Sequence, residues 1–280
     1  MLLIRPELRR AVGDLVSLVR FRSAGMARSQ RLHALVAAGV IATVTLVSAT
    51  LPATAAGWGG PERAGDVLVL LPSACLVFVL STTVATVAAG GGRELLARDE
   101  GVAFPVSPTT DHLGALLLAP LNLAWLLQAW SLLAATAFVV GWSGLWAAQV
   151  TMLAWLVAGT AIAQAVAWSV EWVRRGLHGP VLVRSAALLL GLGAVALVAR
   201  GLVSAVLDGS PTVRVVVVAL QGSGSDWTEW LVGTGVILAA GAAATGIGAR
   251  LAHAVARRPP RDELGADGRT VPARAAARSE

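Results

Sequence analysis

Six apolar stretches, each long enough to cross a bilayer as a helix, alternate along the chain with shorter segments that are polar or rich in glycine and proline. About twenty helical residues cover the roughly 30 Å of hydrocarbon. The pattern therefore predicts spans near residues 33–55, 66–89, 113–141, 144–172, 180–200 and 228–254. The third and fourth are longer than a perpendicular crossing requires, and are expected to tilt or to emerge into water at one end. The fold class that follows is all-α: a polytopic membrane protein with six transmembrane helices over 33–256, preceded by residues 1–32 and followed by a tail over 257–280.

The flanking segments have distinct characters. Leu8, Val12, Leu15, Val16 and Val19 recur at helical spacing opposite Arg9, Arg10, Asp14 and Arg20. This predicts an amphipathic helix lying at the membrane surface among anionic headgroups, or else contacting a cytoplasmic partner. An arginine-rich start, an apolar run and the small residues of Leu51 to Ala56 superficially resemble a signal peptide. The charged region is too long for one, so an uncleaved first span is expected. The tail carries Pro259, Pro260, Asp262, Glu263, Asp267 and Gly268 among scattered arginines and alanines. It is expected to be disordered or loosely helical, with no chemistry of its own.

Residues Gly90 to His112, GGGRELLARDEGVAFPVSPTTDH, interrupt the apolar pattern most strongly. Joining two spans takes only a few residues, and this insert is both longer and patterned. Arg93 to Glu100 can form two helical turns that set Leu95 and Leu96 beside Arg93, Glu94, Arg98, Asp99 and Glu100. Phe104-Pro105 and Ser107-Pro108 then halt the helix. The segment reads as a small docking surface facing the cytosol.

Composition narrows the class and charge gives an orientation. Of the 280 residues, 56% are hydrophobic and only 14% charged, outside the range of soluble globular chains. All 22 basic residues are arginine. A net charge of +6 would suit a nucleic-acid partner, but these arginines flank the apolar runs, so membrane lipids are the expected contact and nucleic acid is not. Arg5, Arg9, Arg10, Arg20, Arg22, Arg28, Arg31, Arg93, Arg98, Arg174, Arg175, Arg184, Arg250, Arg257, Arg258 and Arg261 fall on one side of the six-span arrangement; Arg63, Arg200 and Arg214 fall on the other. Positive loops stay inside, which predicts cytoplasmic termini, a cytoplasmic insert and a multi-pass protein of the inner (cytoplasmic) cell membrane. Tryptophans fit the same frame at headgroup level: Trp58, Trp142, Trp146, Trp227 and Trp230 at outer ends, Trp168 and Trp172 at an inner one. Trp125, Trp130 and Trp155 fall within spans, where packing or lipid contact is expected.

Candidate chemistry is sparse. No ionisable group falls at mid-membrane, where a charge costs roughly 2.5–3.5 kcal/mol and is retained for use. Glu171 is expected to form a surface ion pair with Arg174 and Arg175, and Asn122, Gln128, Gln149 and Gln164 are expected to bond helix to helix. His33, His112, His178 and His253 lie at predicted inner ends without metal-ligand spacing, and Asp111-His112 reads as an exposed loop pair. The single cysteine, Cys75, lies within a span, so no intrachain disulfide can form. A phosphate-cradling loop of the kind that ends in lysine is excluded, because the chain has none; no nucleotide, metal or other cofactor is expected on it. Gly233, Gly235, Gly241, Gly246 and Gly248 in the last span predict close helix packing. Ser210-Pro211 predicts the start of a short apolar helix, Thr212 to Leu220, that dips into the bilayer surface or plugs the outer mouth of a cavity.

Arg93-Glu94-Leu95-Leu96, the following Arg98-Asp99-Glu100, Phe104-Pro105-Val106-Ser107-Pro108 and Leu113 to Leu121 (LGALLLAPL) resemble the membrane subunits of ABC-2 type exporters, particularly the actinobacterial forms. The resemblance implies a permease whose loop between spans two and three is a coupling helix seated in a groove of a cytoplasmic ABC ATPase. Arg93, Glu94, Leu95, Arg98, Asp99 and Glu100 would dock there, with Phe104, Pro105, Ser107 and Pro108 setting the loop's geometry. ATP and Mg would sit on that partner, and alternating access would move the substrate. Many relatives carry two six-span halves in one chain, whereas this one carries a single set, which implies pairing with a second copy or a different half. Two other classes compete: a non-transporting scaffold or immunity-like protein using the same loop, and a lipid-modifying enzyme for which His112, Asp111 and Glu171 are the available reactive groups.

Overall fold

The computed structural model describes residues 27–56, 58, 60–89, 107–222, 224 and 227–258, together with residues 10, 13, 14 and 17. Among them the architecture is all-helical, with six helices long and apolar enough to cross a membrane. The expected amphipathic surface helix and the tail lie largely or wholly outside the described residues.

The first span, α1 (Arg28–Thr50), begins where the Ala27 N–H donates to Gln30 Oε1 at 3.1 Å and runs on into a 3-10 turn, Leu51–Ala55. The second, α2 (Gly60–Ala88), returns. The third is not the continuous helix expected over 113–141. It starts earlier, as α3 (Pro108–Leu118), breaks in a 3-10 turn at Ala119–Leu121, and resumes as α4 (Leu123–Val140). Pro120 lacks an N–H and its ring crowds the preceding turn, which favours a break here, although α2 runs on through Pro72. Asn122, in extended conformation, then caps the new helix by accepting the Ala124 N–H at 2.9 Å. At the start of α3, Ser107 accepts the Thr110 N–H and Pro108 occupies the first turn, where no donor is needed.

The remaining helices are α5 (Leu145–Arg174), α6 (Gly179–Ala199), a single short helix α7 (Val203–Asp208), α8 (Pro211–Gln221) and α9 (Trp227–Ala256). In α5, 67% of the most apolar window is buried, against none in α1 or α6, which makes α5 the hub of the bundle. Apolar burial does not drive helices together inside lipid, so close backbone approach and hydrogen bonds have to. Of the five glycines of α9, Gly241 faces Ala158 so closely that an added Cβ would stand 3.0 Å from the Ala158 Cα, Gly248 faces the His112 ring and Gly233 faces Val218; Gly235 and Gly246 meet nothing within 4 Å. Trp130 Nε1 donates to Thr45 Oγ1 at 2.9 Å, tying α4 to α1.

α8 packs into one end of the bundle, against α2, α5 and α9. Thr212, Val215, Val216 and Ala219 are buried, and the two valines join the core formed by Leu71, Cys75, Phe78, Leu132, Trp155 and Leu156. Beside it, Trp146 stacks on Trp227 with centroids 5.0 Å apart, and Trp230 meets both edge-on. Trp230 is buried and not at a water interface, with Nε1 donating to Thr151 Oγ1 at 2.9 Å. Arg28, Arg31, Arg174, Arg175, Arg257 and Arg258 mark the opposite end, where α2 stops and α3 starts.

Candidate functional site

The break in the third span opens a cavity of about 300 Å³ between α2, α5 and the α3–α4 junction. Ser81, Thr82, Thr86, Asn122, Gln128 and Gln164 give it polar groups; alanines, Leu118 and Trp125 give it apolar wall. Non-helical backbone at membrane depth is tolerated where it lines such a space. Gln164 lies ten residues before Arg174, or about 15 Å along α5 at 1.5 Å per residue. From there the cavity reaches Ala89, at the arginine-rich end. Towards the other end it stops at Trp125, which meets Phe78 edge-on at 6.0 Å and donates to Thr160 Oγ1 at 2.9 Å. Beyond Phe78 lies the apolar core that holds Val215 and Val216 of α8.

The four intramembrane amides, expected to bond helix to helix, do different things. Gln149 bridges helices, its Nε2 donating to the carbonyls of Ala49 and Leu133, both at 2.9 Å. Gln128 accepts from Ser81 Oγ at 2.7 Å, joining α4 to α2, and Asn122 caps its own helix. Gln164 is 5% exposed and its Nε2 has no hydrogen-bond partner among the described residues. A buried donor left in that state costs about 1–3 kcal/mol.

A second constellation anchors α3 at the arginine-rich end. His112 was expected in an exposed loop; it is fully buried within α3. The reason is the helix start at Pro108, which turns the end of the insert into helix, and Gly248, which leaves room for the ring. Trp168 Nε1 donates to His112 Nδ1 at 3.1 Å, so Nε2 carries the proton and donates to the Thr245 carbonyl at 3.1 Å. The imidazole is neutral and engaged on both nitrogens. Trp168 is correspondingly buried. Thr109 Oγ1 pairs with His253 Nε2 at 2.8 Å, and Thr110 Oγ1 reaches Asp14 Oδ2 at 3.4 Å. Nearby, Glu171 pairs with Arg175 at 2.9 Å and Arg174 at 3.7 Å, as expected. Arg175 is itself buried and caps α9 by donating to the Val255 and Arg258 carbonyls at 2.8 and 2.7 Å. Arg258 lies over the Trp172 ring, 4.2 Å from its centroid.

Of the residues proposed for docking, Arg93, Glu94, Leu95, Arg98, Asp99, Glu100, Phe104 and Pro105 lie outside the described residues. Ser107 and Pro108 are described, half-buried at the head of α3. Sequence reasoning did not find the cavity, although Pro120 and Asn122 within an apolar run signalled the break. No group of three His, Cys, Asp or Glu able to hold a metal occurs among the described residues.

These features define a multi-pass helical membrane protein with a polar cavity at a broken span. No protein-family model, no curated protein and no solved structure matches the chain.

Proposed function

We propose that this chain is the membrane-spanning permease subunit of an ATP-driven exporter of the ABC type, sited in the cytoplasmic membrane with its arginine-rich end inside. The observation that carries this reading is α3. At its head it continues the 90–106 insert and is anchored to α5 and α9 through His112 and Thr109; at its foot, Ala115, Leu118 and Ala119 form a wall of the cavity. A push on the insert would thus reach the cavity through one rigid helix and the hinge at Ala119–Asn122. The cavity reaches Ala89 at the arginine-rich end, while α8 packs into the far end, which suits a transporter at rest with its path open inward. The charged, proline-bounded pattern of the insert and its resemblance to coupling loops supply the ATPase partner. With no lysine anywhere in the chain, a phosphate-binding loop has to lie on that partner. A second copy or a different half completes the path.

Purification of the tagged chain from native membranes in mild detergent tests this. We expect an ABC ATPase to co-purify, with ATP hydrolysis, and both to be lost in the Glu94→Arg/Glu100→Arg variant while membrane insertion is unchanged. Association that survives the double reversal would overturn the docking assignment.

A further inference from the structure

We infer that the cavity beside the broken span is a loading site for an uncharged, amphipathic small molecule that presents a carbonyl or hydroxyl oxygen to Gln164. This deepens the permease reading and rests on it for the fate of the ligand. The chemistry follows from which lining groups are already occupied. Ser81 Oγ donates to Gln128 Oε1, Thr86 Oγ1 to the Thr82 carbonyl and Thr160 Oγ1 to the Leu156 carbonyl, so each has used its proton and keeps acceptor capacity. Among the described residues, Gln164 Nε2 is the fully buried donor of the lining that has no partner, and the residue is 5% exposed. The complementary ligand accepts at Gln164 and can donate to the hydroxyl oxygens, as a primary amide or an alcohol does. Among the described residues no Asp, Glu, Lys, Arg or His lines the space, so a charged ligand would give up its hydration with no counter-charge from them. The remaining wall is alanine, Leu118 and Trp125, which suits a short alkyl or aromatic body, and about 300 Å³ is at the small end of ligand sites.

The test uses the full chain in lipid nanodiscs with three photoreactive probes sharing one diazirine-bearing chain: octanamide, octanoate and octylammonium. We expect octanamide to label α2 around Thr82 to Thr86 and α5 around Thr160 to Gln164, with octanoate and octylammonium labelling those peptides at least about tenfold less. Gln164→Leu, of similar volume, should lower octanamide labelling about tenfold. Gln164→Glu should move the preference towards octylammonium, an outcome that misfolding cannot produce. Equal labelling by all three probes, labelling indifferent to Gln164→Leu, or no cavity labelling because water alone satisfies the amide would each overturn the inference. Labelling needs no ATPase: the expected pattern in a chain that binds none leaves the ligand site standing and removes the permease reading, whereas ATPase association without cavity labelling removes the ligand site alone.

Discussion

At the scale of single residues, the histidine that joins α3 to two other helices depends on the absence of a side chain opposite it. A Cβ at Gly248 would press into the His112 ring, while one at Gly246 would meet nothing within 4 Å. Gly248→Ala should therefore cost about 1–3 kcal/mol of stability through overpacking, and Gly246→Ala should be neutral or stabilising by up to about 1 kcal/mol through helix propensity. Thermal unfolding of both variants in detergent checks the pair, and equal shifts would contradict the close approach.

Individual elements differ in how far the sequence revealed them. The apolar runs made the six spans legible, because hydrocarbon thickness alone fixes the length a crossing helix needs. The short helix α8 was legible too, from Ser210-Pro211 and an apolar run too short to cross. The break at Pro120 was hidden by the apolar residues around it, and with it the cavity. Nothing local distinguishes Gln164 from Gln149: one bridges two carbonyls and the other none, and the difference lies in which helix stands opposite. His112 was misread for the same reason, since Trp168 and Gly248 come from α5 and α9. Between those helices Arg175 acts as a clasp, its guanidinium meeting the Glu171 carboxylate and two carbonyls of the α9 end. Arg175→Lys keeps the charge but cannot span three acceptors. It should loosen this end by about 1.5–3 kcal/mol, seen as faster hydrogen exchange at the C-terminal turn of α9; unchanged exchange would reduce the clasp to a surface pair.

For the whole molecule, the helices gather around α5, with a cavity that reaches Ala89 at the arginine-rich end and α8 packed into the other end. α3 runs from the arginine-rich end to the cavity wall. The most direct test of this arrangement is the accessibility of Thr86→Cys, in a Cys75→Ala background, to a membrane-impermeant thiol reagent in vesicles of both orientations. The account predicts modification only from the arginine-rich, cytoplasmic side at rest, with protection from that side when ATP is supplied together with the ATPase partner. Modification from both sides at rest, or from the cytoplasmic side with no response to ATP, would contradict it.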